Sequence, residues 1–182
     1  MTLAFKVSGR IARPVHDVFE AVADPDQLSS YFTTNGAKGR LETGATVVWD
    51  FADFPGAFPV HVGKVEQDRR IVLQWQAADD ADKPYETTVT IEFEPLDDGR
   101  TLVTIAEEGW RDTDEGRAAA FDNCEGWTGM LACMKVWVEH RINLKTVDEP
   151  ESPSFSPDAK TIVFSALQGG TGDIYSVNLE TE

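Results

Sequence analysis

Apolar and polar residues alternate over residues 3–11, with Leu3, Phe5 and Val7 set against Ala4, Lys6 and Ser8, the period of a half-buried strand. Arg13-Pro14 stops that run. Val15, Val18, Phe19 and Val22 then recur at three- and four-residue spacing, which predicts a short amphipathic helix over 14–23. Asp24-Pro25 ends it, and 26–32, carrying Leu28, Tyr31 and Phe32, reads as another turn of helix. Five strand-like runs follow, at 47–51, 60–66, 71–76, 87–94 and 101–107, divided by turn chemistry at 53–56, 68–70, 77–84 and 97–99. Connections this short imply an antiparallel meander.

The longest element is a helix predicted over 114–144. Ala120, Phe121, Cys124, Trp127, Thr128, Leu131, Met134, Val138 and Ile142 gather on one broad face, while Asn123, Glu125, Gly126 and Glu139 fall mostly outside it. Gly126 and Gly129 weaken this helix and suit close packing or a bend. The order predicts an α+β helix-grip fold. A curved antiparallel sheet wraps around a long C-terminal helix, and two short helices follow the first strand. A twisted sheet cannot close on a straight cylinder along its whole length, so a hollow between helix and sheet is expected.

Beyond this unit, assigned to 1–147, Asp148-Glu149-Pro150-Glu151-Ser152-Pro153 combines acids with prolines and reads as a linker over 148–153. Residues 154–182 then carry two alternating runs, 161–165 and 173–178, as a C-terminal β-hairpin appendage. An isolated hairpin is marginal in water. It is therefore expected to dock on the larger unit or on a second copy of the chain, as a homodimer.

Composition narrows the function classes. Of 182 residues 41% are apolar and 10% aromatic, enough for a core, and the net charge is −16. A field of that sign repels phosphate backbones and anionic lipid surfaces, so neither nucleic acid nor membrane is an expected partner. Residues 148–182 hold seven acids and one base, more than their share. The cysteines, Cys124 and Cys133, form neither a CxxC pair nor a disulfide framework and fit a reducing compartment. With neither a signal-peptide pattern nor a long apolar run, the expectation is a cytoplasmic protein.

Candidate chemistry is aromatic more than catalytic. Trp49, Phe51, Trp75, Tyr85, Trp110 and Trp127, with Leu131, are spread over strands and long helix as residues lining one hollow would be. His61, between Val60 and Val62, faces away from them and reads either as a surface histidine or as a cavity-lining one. Lys135 falls on the apolar helix face, where it snorkels to solvent, pairs with an acidic ligand or, partly desolvated, does amine chemistry. Asp50, Glu107 and Glu108 are acid–base candidates by position alone, in a chain with 32 acids. No catalytic residue, metal site or cofactor is assigned, because no nucleophile, phosphate-loop or metal-ligand spacing occurs.

The stretch from Ile11 to Val22, then Leu28-Ser29-Ser30-Tyr31-Phe32, and above all Cys124-Glu125-Gly126-Trp127-Thr128-Gly129-Met130-Leu131 with Lys135, resembles the START-like helix-grip superfamily. Within it the match is to the branch named for activators of heat-shock ATPases, over residues 1 to about 145. The resemblance implies a hydrophobic pocket for a small molecule, and for some members a chaperone-activating or resistance role. Residues 152–181, with Ser156-Pro157-Asp158, resemble a single TolB-like propeller repeat. The leading expectation is a non-enzymatic domain binding a small hydrophobic or aromatic molecule, oriented by Lys135 or His61. Its rivals are a chaperone modulator and a hydrolase or cyclase acting on a hydrophobic substrate.

Overall fold

Alternation, proline placement and turn glycines translate directly into the order of elements. They are β1 (Leu3–Ile11), α1 (Val15–Ala23), α2 (Pro25–Ser29), β2 (Gly36–Lys38), β3 (Thr46–Asp50), β4 (Phe58–Glu66), β5 (Arg70–Gln76), β6 (Glu86–Pro95), β7 (Thr101–Trp110), α3 (Asp114–His140), β8 (Glu151–Phe155), β9 (Thr161–Gln168) and β10 (Thr171–Asn178). The computed structural model describes residues 3–52, 54, 56–77, 84–144, 151–155, 161–168 and 171–178, the last three segments by backbone alone except at Thr161. The 148–150 part of the expected linker and most of the 77–84 turn lie outside the described residues.

The first seven strands form one antiparallel sheet in the order β1-β7-β6-β5-β4-β3-β2. The meander thus runs from β2 to β7, and β1 closes the far edge against β7. Two irregularities bend the sheet: a register shift in β4 between Val62 and Lys64, and one where β1 meets the end of β7. At the second, Gly109 adopts φ 100°, and the buried–exposed alternation of β7 slips by one residue there. Glu107 and Trp110, three apart, therefore both point inward. An added Cβ at Gly109 would press on the Glu86 carbonyl oxygen at 3.4 Å.

The helices begin where local chemistry dictates. Pro14 supplies an extended residue before α1, and the Asp24 carboxylate caps α2 by accepting from the Asp26 and Gln27 N–H groups at 2.9 and 3.1 Å. The Thr113 hydroxyl oxygen accepts from Gly116 N at 3.1 Å to start α3, with Asp114 and Glu115 at the positive end of its dipole. Gly116 has no alternative, because a Cβ there would lie 2.2 Å from the Arg111 carbonyl oxygen. Helix α3 packs along β1 and β7, inside the curve of the sheet, and α1 packs on β6 through Phe19 and Phe93, edge to face at 5.3 Å. None of the described helices is long and apolar enough to cross a membrane.

Four expectations are corrected. Helix α3 stops at His140 rather than 144, because Arg141 turns into the left-handed region at φ 58° and its N–H caps the Trp137 carbonyl. Ile142 is therefore outside the helix and exposed. Phe121, placed on the apolar face, is 73% exposed: it follows buried Ala120, and one residue turns the helix by about 100°. Glu139, placed outside that face, is buried. Finally, Glu151, Ser152 and Pro153 of the expected linker belong to β8. Proline is tolerated there because β8 is an edge strand of the sheet β10-β9-β8, and its register breaks between Glu151 and Ser154. The hairpin of β9 and β10 thus gains a third strand, and β8 runs beside α3.

Candidate functional site

Cross-strand register builds a row of side chains at one end of the sheet. Trp49 on β3 pairs with Phe58 on β4, Trp75 on β5 pairs with Thr87 on β6, and Val89 on β6 pairs with Glu107 on β7. Phe32, just past α2, and Phe51, just past β3, close over the same end, and Trp127 descends from α3. Their rings touch. Trp127 stacks on Trp75 at 5.4 Å and on Phe32 at 5.3 Å. Trp49 meets Phe32 and Trp75 edge-on at 5.5 and 5.6 Å. Phe51 stacks on Phe58 at 5.9 Å, and Phe54 leans on Phe58 at 5.7 Å.

Beneath these rings lies a carboxylate. Glu107 is fully buried. Its Oε1 accepts from the Trp75 indole at 2.9 Å and the Thr87 hydroxyl at 2.6 Å; its Oε2 accepts from the Trp127 indole at 2.9 Å. The Asn123 amide spans both oxygens at 3.3 Å. An indole can only donate, so one on each oxygen suits an acceptor-only carboxylate. No cation of the described residues pairs with it. Hydrogen bonds to a charged acceptor are worth about 1.5–3 kcal/mol each, so Glu107 fixes the two indoles as a preformed wall. The Trp49 indole N–H, by contrast, is buried without an acceptor.

The expected site residues divide. Trp49, Phe51, Trp75 and Trp127 meet in the ring cluster, and Leu131 lies in the main core just along α3. Trp110 and Tyr85 belong to a separate cluster with Ala77, Ala119 and Ala120. The Arg111 guanidinium sits 4.1 Å over the Tyr85 ring. His61 is exposed on the outer face of the sheet, bonded to Thr46 Oγ1 at 3.1 Å and 3.9 Å from Glu86. Lys135 is bound elsewhere: its ammonium donates to the Glu139 carboxylate and to the Arg10 carbonyl oxygen. Glu139 also accepts from Ala12 N, so this pair ties the end of α3 to the end of β1. Glu108 is exposed on the face opposite Glu107, and Asp50 bonds Asn35 at 3.3 Å, so the three acid candidates do not converge.

Residues that the sequence left out are Phe32, Phe58, Thr87 and Asn123, together with the organising role of Glu107. One signal was available. Thr101, Val103 and Ile105 share the inward phase of their strand, and Glu107 continues it, an acid in a core position. Among the described residues no three His, Cys, Asp or Glu side chains converge as metal ligands.

The family model described as "Activator of Hsp90 ATPase homolog 1-like protein" matches residues 12–139, from the residue after β1 to the second-last residue of α3. The chain belongs to that family. Its fold recurs in the protein SSP2350 from Staphylococcus saprophyticus, at 26% identity and TM-score 0.65, over 79% of this chain and 96% of that one. It recurs also in the Aha1 dimer from Colwellia psychrerythraea, at 18% identity and TM-score 0.60, over 76% and 97%. A third likeness is DynU16, a protein of the dynemicin biosynthetic locus, at 15% identity and TM-score 0.63, over 96% of this chain and 80% of that one. No curated protein matches the chain. The Activator of Hsp90 ATPase homolog 1-like match stops before the tail, and nothing in these comparisons supports a propeller repeat over 152–181.

Proposed function

We propose that this family member is a small-molecule binding domain, holding a hydrophobic or aromatic ligand between α3 and the sheet against the rings of Phe32, Phe51, Phe58, Trp75 and Trp127. The observation that carries the reading is the Glu107 carboxylate holding both indoles by their N–H groups. A wall ordered before the ligand arrives loses little freedom on binding. Burial of apolar surface supplies the affinity, at roughly 25 cal/mol per Å². Lys135 and His61 do not serve as orienting groups in this reading, since one is paired with Glu139 and the other faces outward. Glu107 takes that role.

Calorimetric titration with 2-naphthalenemethanol tests it. Saturable one-to-one binding is expected, weakened at least tenfold by Phe51→Ala, which trims a half-buried ring without touching the Glu107 network. Absence of saturable heat, together with stimulation of the heat-shock chaperone's ATPase by the same preparation, would replace this reading with the chaperone-modulator one. A hydrolase or cyclase needs a second acid or base beside the first, and the described neighbours of Glu107 are hydrogen-bond donors.

A further inference from the structure

Glu107 offers both carboxylate oxygens to neutral donors and to no cation of the described residues. It is fully buried, and Trp75, Thr87, Asn123 and Trp127 reach it with neutral N–H and O–H groups. A buried carboxylate without a cation favours a cationic partner whose own loss of hydration is offset by good geometry and further contacts. The rings above it act in the same sense. Aromatic faces are negative, and ammonium groups are drawn to them, to indole most of all. Three of the cluster's rings, Phe32, Phe51 and Phe58, and the Trp75 indole are only half-buried, so the cluster reaches the surface. Phe54, 45% exposed, leans on Phe58 at that opening.

The network also contains one weak member. The two Asn123 contacts, at 3.3 Å, are long beside the 2.6–2.9 Å of the others, and Asn123 is itself half-buried on α3. An incoming donor displaces this amide at least cost. The whole chain, at −16, concentrates cations around itself and repels anions. Resting on the ligand-binding reading above, we infer that the ligand is an organic cation. It is an aromatic amine-bearing compound whose ammonium replaces the Asn123 amide on Glu107 while its ring packs among Phe51, Phe58 and Trp75.

Three naphthalenes of one shape and different charge separate this inference from its foundation. Titration of the full chain with 2-naphthylmethylammonium, 2-naphthalenemethanol and 2-naphthoate is expected to rank them in that order, the ammonium at least tenfold tighter than the alcohol. Glu107→Gln should bring the ammonium and the alcohol within about threefold of each other. Asn123→Ala, a half-buried position that folds more readily, should widen the ammonium's advantage because no amide then has to be displaced. An alcohol that binds as tightly as the ammonium, a naphthoate that binds best, or an Asn123→Ala chain that loses preference for the ammonium would each overturn the cation assignment. Ligand binding itself would survive those three results. Failure of all three compounds to bind would remove both readings.

Discussion

Trp49 and Trp127 are both buried indoles in the same ring cluster, yet only one has a partner for its N–H. Replacing either by phenylalanine removes a similar volume. The Trp127→Phe chain should therefore lose more stability than Trp49→Phe, by about 1.5–3 kcal/mol, the worth of a hydrogen bond to a charged acceptor. Denaturant unfolding of the two variants measures the difference, and equal losses would show that Glu107 does not hold the wall. Lys135 makes the same argument at the other end of the molecule. Lys135→Met removes the ammonium from the buried Glu139 carboxylate and leaves it the Ala12 N–H and His140 at 3.6 Å, so it should destabilise by about 3 kcal/mol. Because Lys135 lies outside the ring cluster, the affinity for 2-naphthalenemethanol should stay as it was.

Helix α1 is held from two sides by ion pairs with opposite pH dependence. The hydrogen bond from Arg40 lowers the Glu20 pKa, and the hydrogen bond to Asp68 raises that of His16. A depressed carboxylate stabilises the fold above its unfolded pKa and ceases to do so as pH falls through the folded value. A raised histidine stabilises below its unfolded pKa and ceases to do so as pH rises through the folded one. Stability should thus fall on both flanks. Glu20→Gln should flatten the acid flank and His16→Asn the neutral-to-alkaline flank in melting curves taken against pH. Most elements were legible because their signals are local: the alternation in β1, Pro14 and Pro25 at helix starts, the 3.6-residue period of α3. What escaped had no local signal. Gly36-Ala37-Lys38 is too short to show a period, Arg141 ends α3 by a backbone turn no residue type demanded, and Asn123 meets Glu107 only after register has been set. The ring cluster was readable as residue types, but its split from Trp110 and Tyr85, which pack with Ala77, Ala119 and Ala120, depends on how α3 crosses the sheet.

For the whole molecule, the acidic tail is joined to the larger unit where β8 runs beside α3. We expect removal of residues 148–182 to lower the melting temperature or to change the mass seen by light scattering; a chain unaltered in both would show the tail to be independent. The larger unit has its own constraint, set by the pairing of β1 with β7. Leu3 opposes Trp110, so β1 finds its partner only after β2 to β7 have been made. A nascent chain must hold the apolar face of Leu3, Phe5 and Val7 unmatched until Trp110 has left the ribosome, and closure of so long a loop is slow. Until then the chain lies open to pairing with a neighbour. The moment of birth, more than the finished fold, is when this protein is exposed to aggregation.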